Sequence, residues 1–498
     1  MSSRISLSLV SHTNVGKTSL ARTLLGRDVG EVRDAPHVTD RADEHELLRS
    51  PAGDVLALWD TPGFGDSTRL AQRLRHSGNP IGWFLSEVWD RWRDRPFWAS
   101  QQALRNVRER ADVVLYLVNA AEDPAAAGYV APEMELLAWI GKPVLVLLNQ
   151  LGAPRTGADD EADLRRWREH LARHAQVRQV LPMDAFARCW VQEGVLWAAV
   201  AGVIDESRRP AMAGLQGAWA EERLATFAAS MQALAGSLGR IATAQVPFDD
   251  GGLTGSVRQT LRQWGESIGL PNRAPDPHDQ AHQTLVRLID DELRGVTDAL
   301  ISLHGLSGQA REQALALVAT RFELRRKVDE GRAALLGGAV SGALAGLKAD
   351  IASGGLTLGG GLLAGSVLGA LGAAGAARGL NLARGTERNW VGCSAEALTL
   401  VMHTSLLRYL AVAHFGRGRG AWVDGEAPPH WVAAVQQATE DRQLAITSAW
   451  QGRRAGADNA DAAERLADAL EPVLAGSTRA ALEQLYPGTW PTLDAKTS

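Results

Sequence analysis

Residues Ser11 to Thr18 read S-H-T-N-V-G-K-T, and this stretch decides the fold of the first part of the chain. It follows the apolar run Ile5 to Val10 and leads into S-L-A-R-T-L-L. A strand, a loop ending in Gly-Lys-Thr and a helix together surround nucleotide phosphates with backbone N–H groups and the positive end of the helix. In such a loop Lys17 supplies a cation and Thr18 a hydroxyl for Mg²⁺. Ser11 replaces the usual first glycine, so the prediction needs support from elements downstream.

Composition sets the outer limits of the interpretation. The 498 residues are 45% hydrophobic and 22% charged, which are globular values and allow two to four domains. A net charge of -5 argues against a general nucleic-acid binder. The two cysteines, Cys189 and Cys393, give neither a disulfide framework nor metal-ligand spacing, and the first residues lack a long apolar segment. We therefore expect a cytoplasmic protein without a secretion signal.

Two further elements after the first helix fit a nucleotide switch. The polar stretch from Asp28 to Asp40 lacks periodicity and contains Thr39, a candidate to bind Mg²⁺ and sense the γ-phosphate. Two hairpin-like runs follow, and the second ends in W-D-T-P-G. Its Asp60 is placed to hold the magnesium shell, and the N–H of Gly63 is placed to meet the γ-phosphate.

The next strands define the fold class. The runs 111–119 and 142–149 are almost continuously apolar, as strands of a parallel sheet covered on both faces must be. Helical segments separate them, so residues from about 4 to about 185 predict a doubly wound α/β sheet of the P-loop NTPase type. Its ligand would bind at the carboxyl ends of the strands.

These motifs carry a resemblance. The loop S-H-T-N-V-G-K-T, the threonine in V-T-D, W-D-T-P-G and a strand ending in asparagine are similar to the GTPase class that includes Era and the tRNA-modification GTPase TrmE. The whole chain also resembles a bacterial family that joins such a domain to a glycine-rich, helical C-terminal half of unknown function. The first resemblance covers about two-fifths of the chain and implies binding and hydrolysis of GTP with Mg²⁺.

The resemblance assigns roles position by position. It implies catalytic roles for Lys17, Thr39 and Gly63, and magnesium ligands at Thr18, Thr39 and Asp60. The nucleotide-binding positions are Ser11, His12, Thr13, Asn14, Val15, Gly16, Lys17, Thr18, Asn149 and Asp184.

Two residues bear on how the site would hydrolyse GTP. Asn14 occupies the position that helps to hold K⁺ in potassium-activated relatives. Phe64 stands where some GTPases keep a glutamine that orients water, and a phenyl ring cannot do this by hydrogen bonding. We therefore expect slow intrinsic turnover, assisted by K⁺, by a partner residue or by formation of a homodimer.

The base-reading motif departs from the family. Where the pattern reads N-K-x-D, this chain has Asn149, Gln150, Leu151 and Gly152, and glycine offers no carboxylate to the guanine. Selectivity in such a site comes from hydrogen-bond partners, so guanine preference over adenine is weakened. Asp184, in the segment that usually reads S-A-K, is a candidate to compensate.

An aromatic insert at about 66–108 follows the switch-two glycine. Leu85, Val88, Trp89 and Trp92 share one helical face. Such stripes are usually core, which is the interpretation we favour; the alternative is a partner-binding face that responds to the γ-phosphate.

The rest of the chain is predicted to be helical, with strands disappearing after Asp205. We divide it into a GTPase-like domain at 1–204, a helical region at 205–332, a glycine-rich hairpin at 333–385 and a C-terminal helical region at 386–498. Predicted helices span 215–244, 253–267, 280–303, 309–331, 395–413, 431–450 and 460–486, the last interrupted at Pro472. His278 and His282 have the spacing of a zinc motif, but without a third ligand they indicate only a helix start.

The glycine-rich segment is the most informative part of this half. Residues 333–347 and 351–377 are uncharged, and their glycines recur at every fourth position, a glycine zipper that permits close helix pairing. The second run is long enough to span a bilayer, but few large apolar residues favour insertion. Membrane contact through 333–377 and a tightly packed soluble hairpin both stay open.

Three functional hypotheses follow. The first is a GTPase switch controlling a helical effector half at the inner face of the membrane, peripheral or integral. The second is a nucleotide-gated scaffold with little hydrolysis that docks an unknown protein partner. The third is a nucleotide-controlled membrane-perturbing protein.

Overall fold

The computed structural model describes residues 2–12, 15–26, 43–61, 64, 67–76, 101, 104–105, 107–151, 157–185, 188–248, 277–306, 389–415, 428–452 and 459–491. The described chain divides into two compact units. The first comprises residues 1–226, 413–422 and 482–498, and the second comprises 227–412 and 423–481. The predicted domain boundaries at 204, 332 and 385 stay predictions.

The first unit is built on a six-stranded sheet. Its strands are β1 (Arg4–Ser11), β2 (Asp43–Arg49), β3 (Val55–Asp60), β4 (Val113–Asn119), β5 (Val144–Asn149) and β6 (Val177–Pro182). They lie in the order β2-β3-β1-β4-β5-β6, in which only β2 runs antiparallel to its neighbour. The parallel strands β1, β4 and β5 are almost wholly buried, as their apolar sequences predict.

Four of the described helices lie between these strands in the chain, and a fifth follows β6. They are α1 (Lys17–Leu25), α2 (Ser67–His76), α3 (Val130–Ile140), α4 (Gly157–Leu171) and α5 (Trp190–Val203). The alternation of strand and helix confirms the predicted α/β fold of the P-loop type. It also brings the carboxyl ends of β1, β3, β4 and β5 to one edge of the sheet, where the predicted ligand site lies.

The remaining elements are mostly helical. They are α6 (Arg209–Thr243), β7 (Gln245–Phe248), α7 (Pro277–Leu303), β8 (Asn389–Gly392), α8 (Ala395–Ala413), α9 (Pro429–Glu440), α10 (Gln443–Gly452) and α11 (Asn459–Leu485). This confirms the predicted helical C-terminal half. In the second unit, Arg408 of α8 is buried and donates to the Leu293 carbonyl of α7 at 2.8 Å, and Gly239 of α6 permits close approach to the Ala463 carbonyl of α11.

The prediction that strands disappear after Asp205 was wrong. Strands β7 and β8 pair antiparallel, with Val246 opposite Val391. Each has four residues, and their partners are far apart in the sequence. Neither strand is therefore long enough to show a period of two that a sequence pattern could reveal.

Two helix predictions also need correction. The span 431–450 is two helices, because the chain turns where the N–H of Arg442 donates to the carbonyl of Thr439 at 3.1 Å. Helix α11 continues through Pro472, where an interruption was predicted. Leu470 and Leu474 are both fully buried, and their burial offsets the hydrogen bond that proline removes.

No helix in the described part of the chain has both the length and the apolar character needed to span a membrane. The predicted helices at 253–267 and 309–331 and the glycine-rich segment 333–385 lie outside the described residues.

Candidate functional site: a phosphate loop, a carboxylate and a base segment

The phosphate loop lies between β1 and α1. Strand β1 ends at Ser11, and α1 begins at Lys17 directly after Gly16, which has a left-handed backbone with φ 91°. A side chain at Gly16 would place its Cβ 2.6 Å from Nδ2 of Asn149, so glycine is required by both conformation and space. The first N–H groups of α1 receive no side-chain cap from Gly16, as in a helix end that binds anions. Thr13 and Asn14 lie outside the described residues.

Asp60, at the carboxyl end of β3, lies against the start of α1. The hydroxyl of Thr18 donates to its Oδ2 at 3.0 Å, and the ammonium of Lys17 lies 3.5 Å from its Oδ1. Asp60 as a whole residue is 3% exposed, and among the described residues nothing hydrogen-bonds to its Oδ1. A buried carboxylate oxygen without a donor, beside a hydroxyl and a lysine, fits a magnesium-bound phosphate.

Thr61 fixes the position of Asp60. Its hydroxyl is buried and donates to the carbonyl of Leu9 at 2.6 Å, which joins the end of β3 to β1. The threonine of the W-D-T-P-G motif is therefore structural, whereas the neighbouring carboxylate faces the site.

The switch residues are only partly described. Thr39 and Gly63 lie outside the described residues, and their roles stay predictions. Phe64 is described: its N–H donates to the Ser11 carbonyl at 3.0 Å, and its ring is fully buried among the apolar side chains that surround β4 and α3. Because the Phe64 ring lies in the core, a group other than residue 64 would have to orient the attacking water.

The base segment is joined to the phosphate loop by Asn149. This residue is fully buried at the end of β5, where its Nδ2 donates to the Val15 carbonyl at 2.7 Å and its Oδ1 accepts from the Ala185 N–H at 2.8 Å. Asp184, also buried, accepts from the N–H of Leu151 at 2.7 Å. Both side chains thus hold the loops that would surround a base, and Gln150 takes a left-handed φ of 59° between them. Gly152 lies outside the described residues.

His12 takes part in a network that sequence reasoning missed. Its Nδ1 lies 2.9 Å from Oε1 of Glu133 on α3, and its ring stacks on Tyr129 with centroids 4.4 Å apart. Glu133 has no exposed surface, and its Oε2 accepts from the Tyr116 hydroxyl at 2.7 Å. The side chain of His12 is thus engaged by protein groups, which leaves its backbone as the predicted phosphate contact.

The groups in this network shift the pKa values of one another. Burial alone would lower the pKa of His12, but the hydrogen bond and negative charge of Glu133 outweigh it and raise the pKa above its ordinary value. Burial raises the pKa of Glu133, against the donors that surround it. A signal existed in the sequence: Glu133 lies on the same helical face as Val130 and Met134, and a lone acid on a buried face requires partners.

A buried ion cluster lies beyond the base segment. Glu193 of α5 accepts from Arg188 at 2.5 Å, from Arg223 at 3.1 Å and from the Trp219 indole at 2.9 Å. Burial raises the pKa of the Glu193 carboxyl, but the charges of the two arginines outweigh it and leave the pKa below its ordinary value.

Other candidates lie elsewhere. The predicted helical face of the aromatic insert, made of Leu85, Val88, Trp89 and Trp92, lies outside the described residues. His278 and His282 belong to α7, which begins at Pro277. Within the described ranges, no group of three or more His, Cys, Asp or Glu residues could hold a metal ion.

Comparison with known proteins agrees with this geometry. Residues 6–150 match the family described as 50S ribosome-binding GTPase, and residues 168–471 match the domain of unknown function DUF3482. Solved structures of low similarity include Era in complex with MgGDPNP and part of 16S ribosomal RNA, at 19% identity and a TM-score of 0.31. They also include Era from Aquifex aeolicus bound to GDP and aluminium fluoride, at 19% identity and a TM-score of 0.30. In both cases the alignment covers 41% of this chain and 58% of the Era chain.

The phosphate loop, the carboxylate of Asp60 and the sheet order define the class: the first part of the chain is a P-loop GTPase domain. The match to DUF3482 covers more than half of the 498 residues. The chain therefore belongs to the DUF3482 family, and in this chain that domain follows the GTPase domain.

Proposed function

We propose that the protein is a molecular switch that binds Mg²⁺ and GTP, hydrolyses GTP slowly and thereby controls its helical C-terminal region. The observation that carries this proposal is the approach of Lys17 and Thr18 to the buried carboxylate of Asp60. A positive charge, a hydroxyl and a carboxylate lie together at the start of a helix, which is the set of groups that phosphoryl transfer requires.

Each residue has a distinct part in the proposed chemistry. Lys17 neutralises negative charge on the β- and γ-phosphates, and the N–H groups of α1 bind the phosphate oxygens. Thr18, Asp60 and Thr39 would hold Mg²⁺, whose chemistry is to neutralise charge that develops on the transferring phosphoryl group. Water attacks the γ-phosphate, and the N–H of Gly63 senses whether that phosphate is present.

The proposed turnover is slow because no glutamine follows Gly63. The ring of Phe64 is buried, so another group must orient the attacking water. Asn14 is the candidate to recruit K⁺ beside the phosphates, and a homodimer would offer a second source of charge. Single-turnover hydrolysis in K⁺ and in Na⁺ tests this: we expect faster hydrolysis in K⁺, and an Asn14→Ala variant that no longer distinguishes the two ions.

Guanine is proposed as the preferred base, with adenine as the competitor. Asn149 and Asp184 support the loops around the base through hydrogen bonds to the backbone. The Asp184 carboxylate already accepts from the N–H of Leu151, which competes with its use in reading the guanine. The preference is therefore expected to be modest.

The output of the switch is proposed to reach the C-terminal half. The glycine-rich residues 333–377 are the candidate for membrane contact, at the inner face of the membrane, and the aromatic insert at about 66–108 is the candidate for contact with a protein partner. Flotation with anionic liposomes in GTP, in GDP and without nucleotide tests the membrane alternative. Protein that stays in the soluble fraction in all three conditions would remove it.

A further inference from the structure

The peptide of Ala185 is held by two buried hydrogen bonds. Ala185 belongs to the base segment, by which we mean residues 149–151 and 184–185. Its N–H donates to Oδ1 of Asn149 at 2.8 Å, and its carbonyl accepts from the hydroxyl of Thr23 at 2.8 Å. Thr23 lies on α1, the helix that begins at the phosphate loop. The position of the base segment therefore depends on Thr23 as well as on Asn149.

Thr23 is also bound by the guanidinium of Arg188. This group donates to the Thr23 carbonyl at 3.4 Å and to Oε1 of Glu193 at 2.5 Å. Arg188 and Glu193 are 5% and 4% exposed, so a buried ion pair rather than solvent fixes the guanidinium. The base segment and Arg188 thus share one partner, Thr23.

The backbone N–H of Arg188 finds its acceptor far away in the sequence. Arg188 is buried and lies in neither a helix nor a strand, so no regular hydrogen-bond pattern supplies a partner. The acceptor is the carbonyl of His414, the residue that follows α8, at 3.1 Å. Since a buried N–H without an acceptor is destabilising, the position of His414 bears directly on Arg188.

His414 is fixed in turn by Tyr486, the residue that follows α11. Nε2 of its imidazole lies 2.8 Å from the phenol oxygen, and the two ring centroids are 5.6 Å apart. Close by in the sequence, the ring of Trp490 meets the ring of Trp190, at the start of α5, edge-on at 5.5 Å. We call His414, Tyr486 and Trp490 the C-terminal support.

The C-terminal support belongs to the same compact unit as the nucleotide site. This first unit includes residues 413–422 and 482–498 besides 1–226. The residues that directly precede 413 and 482 in the chain belong to the second unit. The C-terminal support therefore follows chain segments of the second unit and contacts the residues that hold the base segment.

We propose that the C-terminal support positions the base segment, so that nucleotide affinity depends on contacts made by the end of the chain. This inference rests on the proposed function, because the base segment serves a bound nucleotide. It deepens that function, since it names the contacts through which nucleotide binding and the C-terminal region affect each other. Such an effect is reciprocal: a change in the C-terminal support that weakens nucleotide binding is itself opposed by bound nucleotide.

The test compares the affinities for Mg–GDP and for Mg–tripolyphosphate, which has phosphates and no base, by calorimetry. Tyr486→Phe removes only the phenol hydroxyl from the C-terminal support. Tyr409→Phe, at a buried tyrosine of the second unit, is the matched control. We expect Tyr486→Phe to weaken GDP binding by about threefold, as for the loss of one hydrogen bond, and tripolyphosphate binding by less. Tyr409→Phe should match wild type with both ligands.

A second pair of variants tests the base segment itself. Thr23 and Thr404 are 8% and 7% exposed, and each hydroxyl donates to the carbonyl four residues earlier, at 3.0 and 2.9 Å. Thr23 donates to Ala185 as well, so Thr23→Val should weaken GDP binding by about threefold, whereas Thr404→Val should not.

Two results would overturn the proposal. The first is wild-type GDP affinity in Tyr486→Phe together with weakened GDP binding in Thr23→Val, because the base segment would then not depend on the C-terminal support. The second is an equal loss for GDP and tripolyphosphate in Tyr486→Phe, because that pattern indicates a general structural effect.

Deuterium exchange at the Arg188 amide gives a measurement that does not depend on nucleotide. It is resolved by fragmentation mass spectrometry of the nucleotide-free protein. Exchange should be faster by about threefold in Tyr486→Phe and unchanged in Tyr409→Phe. Equal exchange in wild type and Tyr486→Phe would overturn the positioning role. Wild-type protein that does not hydrolyse GTP, in a set of variants with the expected affinities and exchange, would overturn only the proposed GTPase activity.

Discussion

The side-chain amide of Asn149 donates to the carbonyl of Val15 at 2.7 Å, so the end of β5 and the phosphate loop share one buried hydrogen bond. The same side chain accepts from Ala185 at 2.8 Å. Three loops that are distant in the sequence therefore depend on one amide. The loop for the base and the loop for the phosphates cannot move independently while these bonds persist.

Removal of this amide should weaken both stability and nucleotide binding. Asn149→Ala leaves the Val15 carbonyl and the Ala185 N–H without their partner, at a cost of about 1–3 kcal/mol for each buried group. We expect a lower urea midpoint and weaker GDP binding by calorimetry. Asn119→Ala, at the end of the neighbouring strand β4, is the matched control. Equal GDP affinity in Asn149→Ala and wild type would contradict the bridging role.

Gly16→Ala should impair the site for two separable reasons. The left-handed backbone costs an alanine about 1–2 kcal/mol, and its Cβ would also lie 2.6 Å from the amide of Asn149. Gly26, which ends α1, has φ 63° but open space around it. Gly26→Ala should therefore lower the thermal unfolding temperature only through the backbone cost. Gly16→Ala should lower it as well and should also lose nucleotide binding. Similar nucleotide affinities of the two variants would exclude the steric contribution.

The base preference should respond to a restored carboxylate. In Gly152→Asp the chain regains the N-x-x-D pattern, and an acceptor for the guanine edge raises selectivity because ATP cannot use it. We expect the ratio of GTP to ATP affinity, measured by calorimetry, to increase by about tenfold. A ratio unchanged from wild type would show that the missing aspartate does not limit guanine selectivity.

The buried cluster around Glu193 should make the free energy of unfolding depend on pH in the acidic range. Because the folded pKa of Glu193 lies below its ordinary value, its contribution is present at neutral pH and is lost as pH falls through that lowered pKa. Glu193→Gln leaves Arg188 and Arg223 without their anion and should cost about 3–5 kcal/mol near neutral pH. Urea unfolding at several pH values measures this, and the cost should shrink on acidification.

The control for this prediction is an exposed acid of the same unit. Glu206 is an exposed residue 3.8 Å from Arg209, and Glu206→Gln should change stability by less than about 0.5 kcal/mol. A comparable loss in both variants would indicate that the charge of Glu193 has no special role.

Much of this architecture was accessible from the sequence, for reasons that differ between elements. Strands β4 and β5 are continuous apolar runs, and the loop before Lys17 has a pattern set by phosphate chemistry, so local sequence was enough. Strands β7 and β8 were missed because their pairing is determined by distant packing. Pro472 was read as a break because the burial of Leu470 and Leu474, which keeps the helix continuous through the proline, is a tertiary effect.

The candidate site also has residues that local sequence predicts and residues that only tertiary packing determines. Lys17, Thr18 and Asp60 follow from motifs that bind a ligand, and the structure brings them together. Glu133 and Tyr116 belong to no ligand-binding motif: Glu133 contacts His12 and accepts a hydrogen bond from Tyr116. The second set depends on which face of α3 meets the phosphate loop, which only the packed chain determines.

The central claim is that GTP is hydrolysed at Lys17, and single-turnover hydrolysis of Mg–GTP by wild type, Lys17→Ala and the control Lys142→Ala tests it most directly. Lys142 precedes the amino end of β5, at the opposite edge of the sheet from the site. We predict slow hydrolysis by wild type and Lys142→Ala, and a loss of at least about a hundredfold in Lys17→Ala. Hydrolysis that survives Lys17→Ala at the wild-type rate would contradict the assignment.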